Sequence, residues 1–227
     1  MSIQPSFADL VDPGLYSVDE AERAALQLMQ DGQRIPERFA LALQSTPPPD
    51  LGRAERMLQL LPRITRPERL LPLLDLILPT SNTRIRSKAW KLYAEASADL
   101  AWALEQIRDP DPRVAANVVE ALWRATPSAE LQELFRHAAQ QDRNRVAGNG
   151  LVGLFTLHDP EAAEWTRQMA RHADPAFRAT AAWVAGRVYW QEGIAVLREL
   201  MQDSSEKVRR NAKRSILRLG PHYPGAA

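Results

Sequence analysis

The 227-residue sequence predicts an all-α chain, an α-solenoid (superhelix) of about six stacked helix pairs with one further helix at its start. Three observations carry that expectation. A short segment recurs along the chain. Apolar residues inside each recurrence follow the period of a helix. No stretch alternates apolar and polar residues, or gathers β-branched residues, as a strand does. The recurring segments begin at Arg84, Arg113, Arg145, Ala176 and Lys207. Their apolar anchors Ile85, Val114, Val146, Phe177 and Val208 stand 29, 32, 31 and 31 residues apart.

Each anchor opens a helix, the B helix of its pair. Counting from the anchor, positions +4, +8 and +11 are small or apolar: Val118, Leu122 and Ala125, then Gly150, Leu154 and Leu157, then Ala181, Ala185 and Val188, then Ala212, Ile216 and Leu219. These offsets trace one face of a helix. Asn82, Asp111, Asp142, Asp174 and Ser205 precede the anchors as expected N-caps, and Pro112 and Pro175 take the first helical position, where a missing N–H costs nothing. Shorter apolar-periodic runs at 100–107, 131–139, 162–170 and 194–201 supply the A helices. Earlier in the chain, 67–78 pairs with 82–96, and 36–44 pairs with 51–64. Residues 17–29 form an amphipathic helix whose Ser17 and Glu20 make a capping box. Pro47, Pro48 and Pro49 interrupt helix and mark a turn. The expected organisation is an N-terminal arm at 1–16, a solenoid at 17–220 with regular repeats over 66–220, and a disordered tail at 221–227.

The run Asp111-Pro112-Arg113-Val114, with Asn117, Ala121 and Leu122 following, resembles the HEAT-like repeats of bacterial scaffold proteins, in the short form also found in phycobilin lyases. The resemblance spans residues 66–220 well and 18–65 weakly. It implies stacked helix pairs that bury together what one pair cannot bury alone. It does not specify a function.

Composition narrows the functional classes. The chain has no cysteine, which excludes disulfides, thiolate metal sites and a cysteine nucleophile. Only four of its 29 Lys+Arg are lysine, a bias typical of high-GC bacterial genomes. No segment approaches the roughly 20 apolar residues of a membrane span, and the first residues lack a signal-type apolar core, so a cytoplasmic protein is expected. His137, His158, His172 and His222 share no repeat position, and no metal site or cofactor is expected. Dinuclear-iron hydroxylases built on HEAT-like repeats carry paired His-Glu dipeptides, which this chain lacks. Gly148, Gly150 and Gly153 lie in a helical frame without the Gly-Lys-Ser/Thr ending of a phosphate loop, so they read as close helix packing. No local signature of a nucleophilic triad is legible, and the expectation is a non-catalytic protein.

Function is therefore sought on the surface. In such a solenoid the B helices line the concave face, and positions +6, +9, +10 and +13 are expected to point outward. Trp183, Arg187, Trp190, Val152, Thr156, Glu120, Arg124, Arg214 and Arg218 are the candidate binding residues, Trp and Arg being the types most enriched at binding hot spots. Trp123, Phe155 and Leu217 join them at +9. For Trp183, packing against the neighbouring repeat is an equal alternative to outward exposure. Trp90, Trp102 and Trp165 read as core. The arginines beside the anchors suit ion pairs with the aspartates of the turns. The expected partner is another protein. The alternative is nucleic-acid binding or an alkylbase-glycosylase-like repair protein, because residues 81–227 hold 21 basic against 17 acidic residues.

Overall fold

Helix-start chemistry sets the elements. The computed structural model describes residues 5–97, 99–188 and 190–219; the tail expected at 221–227 lies outside them. Fourteen α-helices, one 3-10 turn and no strand occur among the described residues, so the chain is all-α and built of stacked helix pairs, as expected. It divides into two compact units, Met1–Asp99 and Leu100–Ala227.

The first unit contains α1 (Phe7–Val11), α2 (Val18–Gln30), α3 (Ile35–Gln44), α4 (Leu51–Ile64), α5 (Pro67–Ile77) and α6 (Thr83–Ala96). Capping boxes start α1 at Ser6 with Asp9 and α2 at Ser17 with Glu20. Asp50 and Asn82 cap α4 and α6 through their side chains. Helix α1 lies inside the segment read as an arm, and its Leu10 and Val11 are buried against the core. That core is made of large side chains, among them Phe39, Leu28, Leu43, Leu60, Leu61 and Leu74.

The second unit contains α7 (Ala103–Ile107), α8 (Pro112–Ala121) with the 3-10 turn Leu122–Arg124, α9 (Ala129–Ala139), α10 (Asn144–Thr156), α11 (Ala162–Ala170), α12 (Pro175–Ala185), α13 (Gly193–Leu200) and α14 (Glu206–Leu219). The B helices α8, α10, α12 and α14 each pack on the next, and α7, α9, α11 and α13 each back their own B helix. Asp111 and Asp174 cap α8 and α12 as expected. Helix α10 differs by one residue: its N-cap is Arg143, with no side-chain bond, and not Asp142. Asn144, at its first turn, donates instead to Thr180 Oγ1 at 2.7 Å. The anchors Ile85, Val114, Val146 and Val208 are buried. Phe177 is only half-buried and stacks on His172, with ring centroids 4.3 Å apart.

Small residues decide how closely the second unit packs. A Cβ on Gly150 would stand 2.5 Å from the Ala139 backbone nitrogen and 2.8 Å from the Phe135 carbonyl oxygen. A Cβ on Gly153 would meet the Phe135 ring at 2.5 Å, and one on Gly148 would meet Thr180 Cγ2 at 2.3 Å. So α10 touches α9 almost backbone to backbone at Gly150 and takes side chains of α12 against Gly148, which is the close packing read for these glycines. Asparagine side chains then bond the approaching backbones. Asn149 donates to the Ala116 carbonyl at 2.6 Å, and Asn211 donates to the Ala179 carbonyl at 3.1 Å. The turns are tied by Arg178, whose guanidinium makes a two-point pair with Asp203 at 2.7 and 2.9 Å. Those hydrogen bonds hold the Asp203 carboxyl below its ordinary value and raise Arg178. This is the ion pairing expected of the arginines beside the anchors.

Candidate binding face

The face is built over α10. All residues from Val146 to Leu154 are buried, because α8 and α12 flank this helix and α9 backs it. Val152 was expected to point outward at +6; it is buried, since a middle B helix has neighbours on both sides. Two indoles approach α10 from either side, and a Cβ on Gly148 would stand 3.7 Å from the ring of one of them, Trp183. Trp123, in the turn after α8, donates Nε1–H to the Asn149 carbonyl at 2.9 Å. Trp183, on α12, is half-buried, and its ring centroid lies 6.3 Å from that of Trp123. Both alternatives for Trp183 therefore meet in one residue: part of its ring packs across the repeats and part faces solvent.

Arg187 completes the group. Its guanidinium carbon lies 4.8 Å from the Trp123 centroid and 5.6 Å from the Trp183 centroid. The side chain is exposed, and no carboxylate pairs with it among the described residues. Cation–π contact with two rings thus holds a charged, hydrogen-bonding head that still has its donors to offer.

Trp190 departs from expectation. Helix α12 ends at Ala185 with Gly186 as C-cap, so a helical offset of +13 does not reach residue 190. Trp190 is 6 % exposed, packed 5.6 Å from the Phe155 ring, with Arg167 5.7 Å above it. Its indole N–H is buried with no acceptor among the described residues. Conversely Trp90, Trp102 and Trp165, expected in the core, are half-buried.

Beside Arg187 a cleft of about 780 Å³ opens, with Val152, Phe155 and Val188 as apolar walls and Thr156, Arg187 and Arg218 as polar ones. His158 and Asp159 close one end. His158 ends α10 in the left-handed conformation, φ 56°, a position glycine usually fills. The Asp159 side chain is fully buried and is held by Arg136 at 2.9 Å and Gln132 at 2.7 Å. A second cleft, of about 430 Å³, lies on the other side of Trp183, between Glu120, Arg145, Lys207 and Asn211. Thr156, Arg124, Arg214 and Arg218 are exposed, and Glu120 is half-buried. Hence Trp183, Arg187, Val152, Thr156 and Arg218 converge on one pair of clefts, Glu120 lines the second, and Trp190 lies beneath. Arg124 and Arg214 border neither cleft.

Sequence reasoning missed the Asp159–Arg136–Gln132 network and the left-handed His158, for which the sequence carries no local sign. It also missed the bonding role of the asparagines, whose signal was present: Asn117, Asn149 and Asn211 all stand three residues after an anchor. Among the described residues no group of His, Asp and Glu could hold a metal ion, and no helix is long and apolar enough to cross a membrane.

No curated protein matches the chain. The family model for HEAT repeats matches residues 145–218, from α10 to the end of α14. Repeats of this family commonly mediate protein–protein contacts and are typically non-catalytic. The matched segment holds the glycine-rich helix, the anchors Val146, Phe177 and Val208, and the Asn149 and Asn211 bonds between helices, and this part of the chain is similar to HEAT repeats.

Proposed function

We propose that this protein is a non-catalytic scaffold that binds a partner protein through the B-helix face of its second unit. Trp183 and Arg187 form the centre of the contact, with Val152 and Trp190 as the packed ground beneath. Thr156, Glu120, Arg124, Arg214 and Arg218 surround it. One observation carries the reading: an exposed arginine is held on two half-buried indoles, without a carboxylate partner among the described residues. A prefixed aromatic and cationic anchor of this kind is what a partner's side chains can dock on at low entropic cost. Wide, shallow clefts on both sides suit a segment of chain better than a small substrate.

The test is a pull-down from nuclease-treated lysate of the source organism, comparing the wild type with Trp183→Ala/Arg187→Ala. A specific protein retained by the wild type and lost by the folded double variant is the expected result. Equal capture by both proteins contradicts the reading. If only nucleic acid is retained when the nuclease is left out, and its binding collapses between about 50 and 200 mM salt, the basic face is the site of the nucleic-acid alternative.

A further inference from the structure

The arginines of the face fall into register. Arg124, Arg187 and Arg218 each stand ten residues after an anchor, and Thr156 takes that position on α10. None of the three pairs with a carboxylate among the described residues, whereas Arg136, Arg178 and Arg113, elsewhere in the same unit, all do. Arg187 and Arg218 also line a single cleft with Val152, Phe155 and Val188. We infer that the face reads an extended acidic segment, with two carboxylates about three residues apart on Arg187 and Arg218. This inference rests on the binding face proposed above and names the chemistry of its partner.

The spacing follows from helix geometry. Packed helices lie about 8–10 Å apart; Arg187 stands in the turn that continues α12, its N–H bonded to the Val184 carbonyl, and Arg218 stands in the last turn of α14, so the two are offset by about that distance. A polyproline-type extended chain rises about 3.1 Å per residue with three residues per turn. Every third side chain then returns to the same side after about 9 Å. Thr156, offering a hydroxyl and no charge, leaves a gap in the row, and Arg124 lies two B helices before Arg187. A guanidinium accepts a carboxylate in two-point fashion, and stacking on Trp123 and Trp183 fixes the plane of Arg187 before the partner arrives. A single-stranded nucleic acid fits less well. The two indoles are half-buried, 6.3 Å apart and tilted by 35°, with the Arg187 guanidinium near both rings, so less ring surface is left for bases to stack on.

The experiment is fluorescence anisotropy on the full chain with a short labelled peptide carrying Glu at every third position and Pro and Leu between. A second peptide of the same composition carries Glu at every fourth position, and a single-stranded oligonucleotide of equal charge serves as competitor. The wild type is expected to bind the first peptide at least about tenfold more tightly than the second. Arg218→Ala and Arg187→Gln are each expected to lose about tenfold, with circular-dichroism melts unchanged for Arg218→Ala. Equal affinity for the two spacings, indifference to both substitutions, no binding of either peptide, or displacement by the oligonucleotide at lower concentration each overturns the inference. Should the peptides fail while Trp183→Ala/Arg187→Ala still loses its captured protein, the acidic register falls and the binding face stands.

Discussion

The two units solve the problem of packing helices in opposite ways. The first fills its interior with bulk: Phe39, Leu28, Leu43, Leu60 and Leu61 are fully or almost fully buried. Its ion pairs, such as Arg63 with Asp19 and Glu22, lie on the surface. The second brings backbones together. Gly148, Gly150 and Gly153 replace side-chain volume with contact, and Asn149 and Asn211 bond the neighbouring helix through its carbonyls. Bulk leaves a closed core. Above α10, between α8 and α12, the large side chains Trp123, Trp183 and Arg187 gather. The proposed binding face thus lies in the unit whose helices pack through glycine.

The largest test of this contrast is Gly150→Ala against Gly52→Ala. The first drives a methyl into fixed backbone and is expected to cost about 3 kcal/mol in urea unfolding. At Gly52, in α4, a Cβ meets only Asp50 Oδ1 and Pro13 Cγ, both at 3.3 Å; gained helix propensity offsets the crowding, for a net change within about 0.5 kcal/mol. Equal costs would erase the distinction between the units. Next comes Asn149→Ala, which removes the buried hydrogen bond from α10 to the Ala116 carbonyl of α8 and is expected to cost about 1 kcal/mol. Arg63→Ala, in the first unit, is expected to leave the urea midpoint unmoved.

Acid sharpens the comparison further. Hydrogen bonds from Arg178, and then from the Ser205 backbone, hold the Asp203 carboxyl below its ordinary 3.8. A carboxyl depressed in the folded state stabilises above 3.8, and that stability is lost as the pH falls through the folded value. Thermal melts between about pH 6 and pH 3 should therefore fall less steeply for Asp203→Asn than for the wild type, by a few degrees. Parallel curves would dissociate the pair from stability. The smallest effect is a gain. His158→Gly relieves the left-handed strain at the end of α10 and is expected to add about 0.5–1 kcal/mol. A loss there would mean that the imidazole makes a contact worth more than the strain.

Much of this was legible before folding. Anchor spacing gave the B helices, and the caps at Asp111 and Asp174 gave two of their starts. The capping box at Ser17 gave α2, and the spacing of Trp183 and Arg187 gave their closeness. Periodicity carries such information because one apolar stripe per helix must be buried. It fails where burial depends on neighbours. Val152 and Trp190 occupy outward offsets, yet α10 is enclosed by two B helices, and the chain leaves α12 before residue 190. The Asp159–Arg136–Gln132 network joins residues up to 27 apart through tertiary contact alone, so spacing could not reveal it.

Hydroxyl-radical footprinting of the chain, alone and with the protein it captures, tests the central claim most directly. Trp123, Phe155 and Trp183 are half-buried side chains of the B-helix face, and Trp165 on α11 and Trp90 in the first unit are half-buried elsewhere. The account predicts that the first three lose reactivity in the complex while Trp165 and Trp90 keep theirs. Protection of Trp165 or Trp90 with Trp123 and Trp183 still reactive would place the partner elsewhere and contradict it.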